Sequence, residues 1–362
     1  MSLFNDRDEE QRAFAVMPRR EVLIKGLIAG AGAVGLGLLG QMSAFASQTG
    51  AKVHVVGLGT DQVLYHTIHF ANGTWAPSYG IINAQERNGG LRFNDVACGG
   101  VSDLQVVASD ASGNGILWHT IRSNLNGSWS GSFGNVNAQM GNGSLQLTSP
   151  SCAVSDSGRL HLLALNRADN TLYHTIRETN GSWQGFFGQV PGTLNFKKVG
   201  CAALGEDLHV VAIDNNGTLW HTIRFNSSFS WQSGFDNVNA QISNSAGFVA
   251  TSVSCVFTGT TLNVATTNDS GFFTFTSRDS SGTWQPLAGV IEASHLFLNE
   301  VSYANLQNGL MLVGVGFDSS LDYSILPPGA TWPGSFSLLR VNDQESNGSG
   351  HFFSAVACAG TI

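Results

Sequence analysis

The chain has 362 residues, of which 12% are charged and 44 are glycine, and its formal net charge is −8. This composition suits a turn-rich all-β protein and argues against disorder or a coiled coil. The acidic excess lies entirely beyond residue 46, where twelve basic side chains stand against twenty acidic ones, so no basic stripe is present to favour nucleic acid or an anionic membrane as partner.

The first 46 residues read as an address rather than as part of the fold. Arg19-Arg20 precede EVLIKG, an uncharged glycine-rich apolar run follows from Gly26, and Ala44-Phe45-Ala46 forms a small-x-small cleavage pattern. The arrangement is similar to a twin-arginine export signal. The expectation is a removable leader at 1–46, a folded domain at 47–362, export to the periplasm, cell surface or medium, and no stable membrane span once the leader is gone. A retained anchor is the alternative, since the apolar run is nearly long enough to span. Gly30 to Gly35 match G-x-G-x-x-G, but no βαβ unit surrounds them and no acidic residue follows about twenty positions on, so no dinucleotide or other cofactor is expected.

Beyond residue 50 the chain repeats itself. LYHTIH at 64–69, LWHTIR at 117–122, LYHTIR at 172–177 and LWHTIR at 219–224 are each followed by an Asn-Gly or Asn-Ser turn and a tryptophan: Trp75, Trp129, Trp183 and Trp231. Two degraded copies keep Trp284 and Trp332 but lose the histidine. Upstream of each hexapeptide lies an apolar run, such as LQVVASD from Leu104 or LHVVAID from Leu208. The unit is about fifty residues long, a period typical of propellers and arrays.

Within LWHTIR, Leu117, His119 and Ile121 share one parity and Trp118, Thr120 and Arg122 the other, with β-branched and aromatic types in both sets. That is the signature of a strand with two distinct faces. Asn126-Gly127, Asn180-Gly181 and the turn ending at Gly217 supply the positive φ that tight hairpins need. Four antiparallel strands per unit follow: A with a small residue at its centre, B the apolar run, C the histidine hexapeptide and D the tryptophan strand.

Strand A carries Cys98, Cys152, Cys201, Cys255, Tyr303 and Cys358 in one slot. Five cysteines in equivalent positions of different units read as small apolar residues near a narrow axis, not as disulfides or a metal site. The C-terminal FFSAVACAGTI is an A strand with nothing after it, whereas KVHVVGLG, VLYHTIHF and GTWAPSYG supply B, C and D with no A before them. The predicted fold is therefore an all-β, six-bladed propeller closed by pairing of the two ends, which removes exposed sheet edges. Lys197-Lys198, the one basic doublet in this part, reads as a solvated loop.

The repeated His66, His119, His174 and His221 are equivalent copies, whereas catalysis usually needs one asymmetric constellation. No catalytic residue is assigned to them. Each histidine is either a structural hydrogen-bonding group between blades or a ligand contact repeated per blade. Trp75, Trp129, Trp183 and Trp231 are likewise either blade-to-blade wedges or flat apolar platforms for a sugar ring. Repetition around a ring favours avidity for a surface bearing many ligand copies, as glycans do.

The run LHVVAIDNNGTLWHTIRF at 208–225, together with GSWSGSFGNVNAQMGNG at 127–143, resembles the repeat of the PLL-like β-propeller lectins. The resemblance implies a bacterial lectin for L-fucose and related or O-methylated sugars, bound between adjacent blades. It is strong over the units of Trp75 to Trp231 and weak over the last two. The family typically has seven blades, one more than this chain. From the resemblance and the chemistry together, the expected sites combine a D-strand Trp with C-strand His and Arg, such as His119 with Arg122, His174 with Arg177, and His221 with Arg224. The NAQ residues Asn137, Gln139, Asn239 and Gln241 are expected to join them as hydrogen-bonding groups. Sites in the fifth and sixth units are expected to be absent or altered, although Arg278 persists.

Two other classes stand beside the lectin. Ser277 to Trp284 comes near the S-x-D-x-G-x-T-W box of sialidase propellers, with one residue too many before the Gly and one too few after it. A glycosidase also needs two carboxylates flanking one bond, and Asp103 and Asp207, at equivalent A–B turns, read as turn formers. The third class is a cell-surface protein-interaction scaffold, and a homo-oligomer is compatible with either binding role.

Overall fold

The computed structural model describes residues 51–242, 248–290, 297–306, 309–327, 337–348 and 350–361. The leader at 1–46 and Trp332 lie outside the described residues. No helix among those residues is long and apolar enough to cross a membrane.

The fold is a six-bladed β-propeller. Blade 1 joins the C-terminal strand Phe353–Thr361 to Lys52–Gly59, Leu64–His69 and Gly80–Ile81. Blade 2 comprises Phe93–Gly100, Leu104–Asp110, Leu117–Arg122 and Gly134–Asn135, and blade 3 Leu147–Val154, Leu160–Asn166, Leu172–Arg177 and Gly188–Gln189. Blade 4 holds Phe196–Leu204, Asp207–Asp214 and Leu219–Phe225, blade 5 Ala250–Thr258, Thr261–Asn268 and Phe273–Arg278, and blade 6 Leu298–Leu306, Gly309–Gly316 and Leu321–Leu326, each with short outer pairings. Closure by the two ends is as the sequence predicts: Lys52–Gly59 pairs antiparallel with Phe353–Thr361, Val55 opposite Cys358.

Each blade is apolar on both faces because each packs between two neighbours. Val56 and Leu58 meet Leu104 and Val106 of blade 2, while Val53 and Val55, of opposite parity, meet Met311 and Val313 of blade 6. One such buried cluster fills every blade interface, and each fully buried Leu or Val contributes about 1.5–3 kcal/mol.

The outer strand differs from the continuous one expected. Trp75, Trp129, Trp183 and Trp284 make single bridges opposite His69, Arg122, Arg177 and Arg278, and the chain rejoins the blade only later, at pairs such as Gly134–Asn135. Gly131 and Gly185, with φ of 86° and 84°, turn the backbone out between the two contacts.

The six A strands line an axial cavity of about 960 Å³. All five cysteines are free and buried, and each pairs with the same position of strand B, for example Cys98 with Val106 and Cys201 with Val210. Burial pushes the Cys201 and Cys358 thiols up to about 12, so they stay protonated. No His, Cys, Asp and Glu cluster suited to a metal occurs among the described residues.

Lys198 corrects the solvated-loop reading. A register shift opens each A strand, between Phe93 and Asp95, Phe196 and Lys198, and Leu298 and Glu300 among others. Such bulges re-aim side chains, and here they bring blades 2, 4 and 6 together: Lys198 Nζ lies 3.3 Å from Asp95 Oδ2 and 2.9 Å from Glu300 Oε1. Glu300 also accepts the Val356 N–H at 3.3 Å. Burial works against the Lys198 charge, but Asp95 and Glu300 outweigh it and raise its pKa.

Candidate functional site

Strand parity distributes the repeated side chains between two different clefts. His66, His119, His174 and His221 project toward the following blade, where each ring lies nearly perpendicular to its tryptophan: His66 on Trp129 (5.5 Å, 88°), His119 on Trp183 (5.6 Å, 89°), His174 on Trp231 (5.3 Å, 88°) and His221 on Trp284 (5.5 Å, 79°). The arginine of the same hexapeptide has the opposite parity and shares its face with that blade's own tryptophan, as the pairing of Arg122 with Trp129 and of Arg224 with Trp231 shows. The expected partnerships His119–Arg122, His174–Arg177 and His221–Arg224 are thus corrected. Through the tryptophan that each faces, His66 shares a cleft with Arg122, His119 with Arg177, His174 with Arg224 and His221 with Arg278, each pair across a blade interface.

Strand B adds residues that sequence reasoning missed. His54 Nδ1 lies 2.9 Å from His66 Nε2, and the His161–His174 and His209–His221 pairs repeat the contact at 3.1 Å. Gln105 Oε1 takes the equivalent place for His119 Nε2 at 2.8 Å. One nitrogen of each histidine pair must donate and the other accept, so at most one ring of a pair is charged. Burial, followed by the neighbouring arginine, pushes His119 down to about 3, and burial likewise lowers His161 and His209 to about 4. The signal was present: His54, Gln105, His161 and His209 all stand one residue into the apolar run, in register with one another.

The arginines hold donors that no protein group takes up. Arg122 and Arg224 are 8% and 7% exposed, yet no hydrogen bond or ion pair holds the guanidinium of Arg122, Arg177, Arg224 or Arg278 among the described residues. Burial lowers the pKa of Arg122, Arg177 and Arg224. Each of three guanidiniums lies over the glycine of its own turn: a Cβ on Gly127 would stand 2.9 Å from Arg122 Nη2, and Gly181 and Gly282 crowd Arg177 and Arg278 in the same way. These glycines serve both the positive φ of the turn and the resting place of the cation.

Four clefts therefore share one plan. One wall offers a B-strand His or Gln and a C-strand His; the other offers an arginine with free donors and a tryptophan. The fourth, between blades 4 and 5, uses Arg278 and Trp284 and shows that the fifth unit retains the arrangement. Between blades 6 and 1 the plan changes: Tyr323 takes the histidine position against Trp75 (5.0 Å, 74°), His69 takes the arginine position, and His69 Nδ1 and Trp75 Nε1 are buried without partners among the described residues.

The NAQ residues do not enter these clefts. Asn137 Oδ1 accepts the Leu117 N–H at 2.8 Å and its amide donates to Leu145 O at 2.9 Å, while Asn239 accepts the Leu219 N–H at 2.9 Å. Both side chains brace the blade edge. Gln139 and Gln241 are exposed and turn back onto the carbonyls of Asn135 and Asn237. Asp103 and Asp207 accept the N–H groups of Asn124 and Asn226, each at 2.8 Å, in keeping with their reading as turn formers.

No family description and no curated protein matches the chain. Solved structures do. A variant of the Aleuria aurantia lectin in complex with Fucα1-6GlcNAc superposes with a TM-score of 0.58 at 12% identity, over 80% of this chain and 92% of that one. AofleA from Arthrobotrys oligospora gives 0.55 at 10% identity over 86% and 89%, and the Hadza microbial sialidase Hz136 gives 0.50 at 14% over 73% and 63%. At these identities the likeness is one of fold.

Proposed function

We propose that the protein is a multivalent carbohydrate-binding protein for L-fucose or for related or O-methylated sugars. The observation that carries this reading is the fourfold recurrence, beside a tryptophan, of an arginine whose guanidinium has no acceptor among the described residues, buried at Arg122 and Arg224 and half-buried at Arg177 and Arg278. A buried cation lacking a partner is costly, and sugar hydroxyls supply the missing acceptors while the indole covers a C–H face. The Aleuria aurantia lectin, a propeller of like fold, is described in complex with a fucosylated disaccharide, and the repeat resembles PLL-like lectins; both support the same sugar class. The cleft walls present His, Gln, Arg and Trp rather than paired carboxylates, which favours binding over glycoside hydrolysis. Export by the leader at 1–46 belongs to the same proposal, since it would deliver the protein to extracellular glycans.

A glycan array followed by calorimetric titration with methyl α-L-fucoside tests the function. Saturable binding that free sugar competes away supports it. Binding to cells that free sugar leaves untouched would favour a protein scaffold, and turnover of chromogenic glycosides would favour an enzyme.

A further inference from the structure

We propose that the cleft between blades 1 and 2 binds a saccharide carrying an anionic group, a carboxylate or a sulfate ester, between Lys52 and Arg122. This rests on the sugar-binding reading above and narrows it for one cleft of the four. The register makes the clefts comparable position by position: Val53 stands opposite His69, Leu104 opposite Arg122, Leu160 opposite Arg177 and Leu208 opposite Arg224. The residue just before each of these B-strand positions shares the parity of His54, Gln105, His161 or His209, and so lies on the wall facing the next blade's arginine. Those residues are Lys52, Asp103, Arg159 and Asp207.

Three of the four leave their cleft compensated. Asp103 and Asp207 bring a carboxylate to the second and fourth clefts. Arg159 is neutralised by Glu178 at 2.9 Å and Glu206 at 3.9 Å in the third. Lys52, half-buried, has no ion pair or hydrogen bond through its ammonium among the described residues, and neither has Arg122 opposite it. Burial and then the Arg122 charge lower the Lys52 pKa, and both cations press His54 and His66 further toward neutrality. Glu86, the carboxyl that blade 1 sends to this interface, accepts the Thr120 hydroxyl with Oε1 and keeps Oε2 buried without a partner among the described residues; burial alone lowers the Arg122 pKa.

Two like charges share a partly desolvated cleft, a standing cost that an anion between them relieves. Arginine suits the task because its planar fork meets the oxygens of a carboxylate or sulfate in pairs. Trp129, beside Arg122 on the same wall, supplies a platform for the ring that bears the anion, and so distinguishes an acidic sugar from a free ion.

The test titrates the full chain with methyl β-D-glucuronide, galactose 6-sulfate, methyl α-L-fucoside and sodium sulfate at low and high salt. The acidic sugars are expected to bind one cleft per chain, more tightly than the fucoside binds there, and to weaken as salt screens the pair. Lys52→Gln should lower their affinity about tenfold, the loss of one charge-assisted hydrogen bond, and Trp129→Ala should weaken them as well. Acidic sugars that bind no better than the fucoside, or that ignore both Lys52→Gln and Arg122→Gln, overturn the proposal; so does sodium sulfate binding as tightly as galactose 6-sulfate. If the fucoside binds and the acidic sugars do not, only this proposal fails. If no sugar binds to a chain that circular dichroism shows to be folded, the sugar-binding reading fails with it.

Discussion

An arginine with five N–H donors and no acceptor burdens the folded chain, whereas a tryptophan propped against its neighbour's histidine supports it. The two site residues should therefore respond oppositely to truncation. Arg224→Gln is expected to abolish sugar binding in its cleft while raising stability by about 1 kcal/mol, because a desolvated charge is replaced by a neutral amide. Trp183→Ala is expected to lose binding too, but to cost about 2 kcal/mol by emptying the space against His119. Thermal unfolding and calorimetry on both variants check the pair, and a fall in stability with Arg224→Gln would mean that the guanidinium has an internal role. At this scale the sequence disclosed which residue types matter but misassigned their partners. The parity of His119 and Arg122 is readable from the hexapeptide itself; that opposite faces of one strand serve different clefts depends on the neighbouring blades, which the hexapeptide does not specify. Asn137 looked like a hydrogen-bonding site residue because side-chain amides serve backbone and sugar equally well, and only the position of the Leu117 N–H separates the two uses.

The strand most informative about design is the inner one. Each A strand begins with a bulge, and three of them use it to aim Asp95, Lys198 or Glu300 at the axis. Lys198→Met should strand two carboxylates near each other and destabilise the ring by about 2–3 kcal/mol, somewhat less than for a fully enclosed pair because the cavity admits solvent. Chemical denaturation measures this, and restoring stability with the added change Glu300→Gln would show that the penalty lies in the unpaired acid. A doublet such as Lys197-Lys198 gives no hint of this role in sequence, since the residues that answer it are about a hundred positions away on either side. The broken outer strand was hidden for a different reason: Trp129 and Phe133, Trp183 and Phe187, and Trp231 and Phe235 keep one parity, as a continuous strand would, and only the positive φ of Gly131 and Gly185 shows where pairing stops.

The whole ring should be sensitive to acid. His119 sits at about 3 and His161 and His209 at about 4, all below the ordinary histidine value, because burial disfavours their charge. Between pH 6.5 and about 4 the unfolded chain takes up protons that the folded chain refuses, so stability is held above that window and lost as pH falls through it. The denaturation midpoint at pH 4.5 is expected to lie well below that at pH 7. A double variant of His161 and His174 to Asn should flatten the slope, and an unchanged midpoint from pH 7 to 4.5 would contradict the buried neutral pairs. Blade number and closure were legible at this scale because fifty-residue periodicity and complementary half-blades at the two ends are properties of the string. The fourth cleft was underestimated because unit five swaps histidine for Phe275, yet that position serves the next interface, and Arg278 with Trp284 still completes the one before.

The seam between head and tail has a consequence for how the molecule comes into being. His54 Nε2 lies 3.2 Å from Thr361 Oγ1, so the wall that carries Lys52, His54 and His66 is propped by a strand 307 residues away in sequence. Three clefts are walled by strands near one another in the chain, but the one between the first and second blades must wait for Phe353–Thr361 to dock beside Lys52–Gly59. A truncated or proteolytically nicked product would keep most of its recognition surface and lose that cleft first.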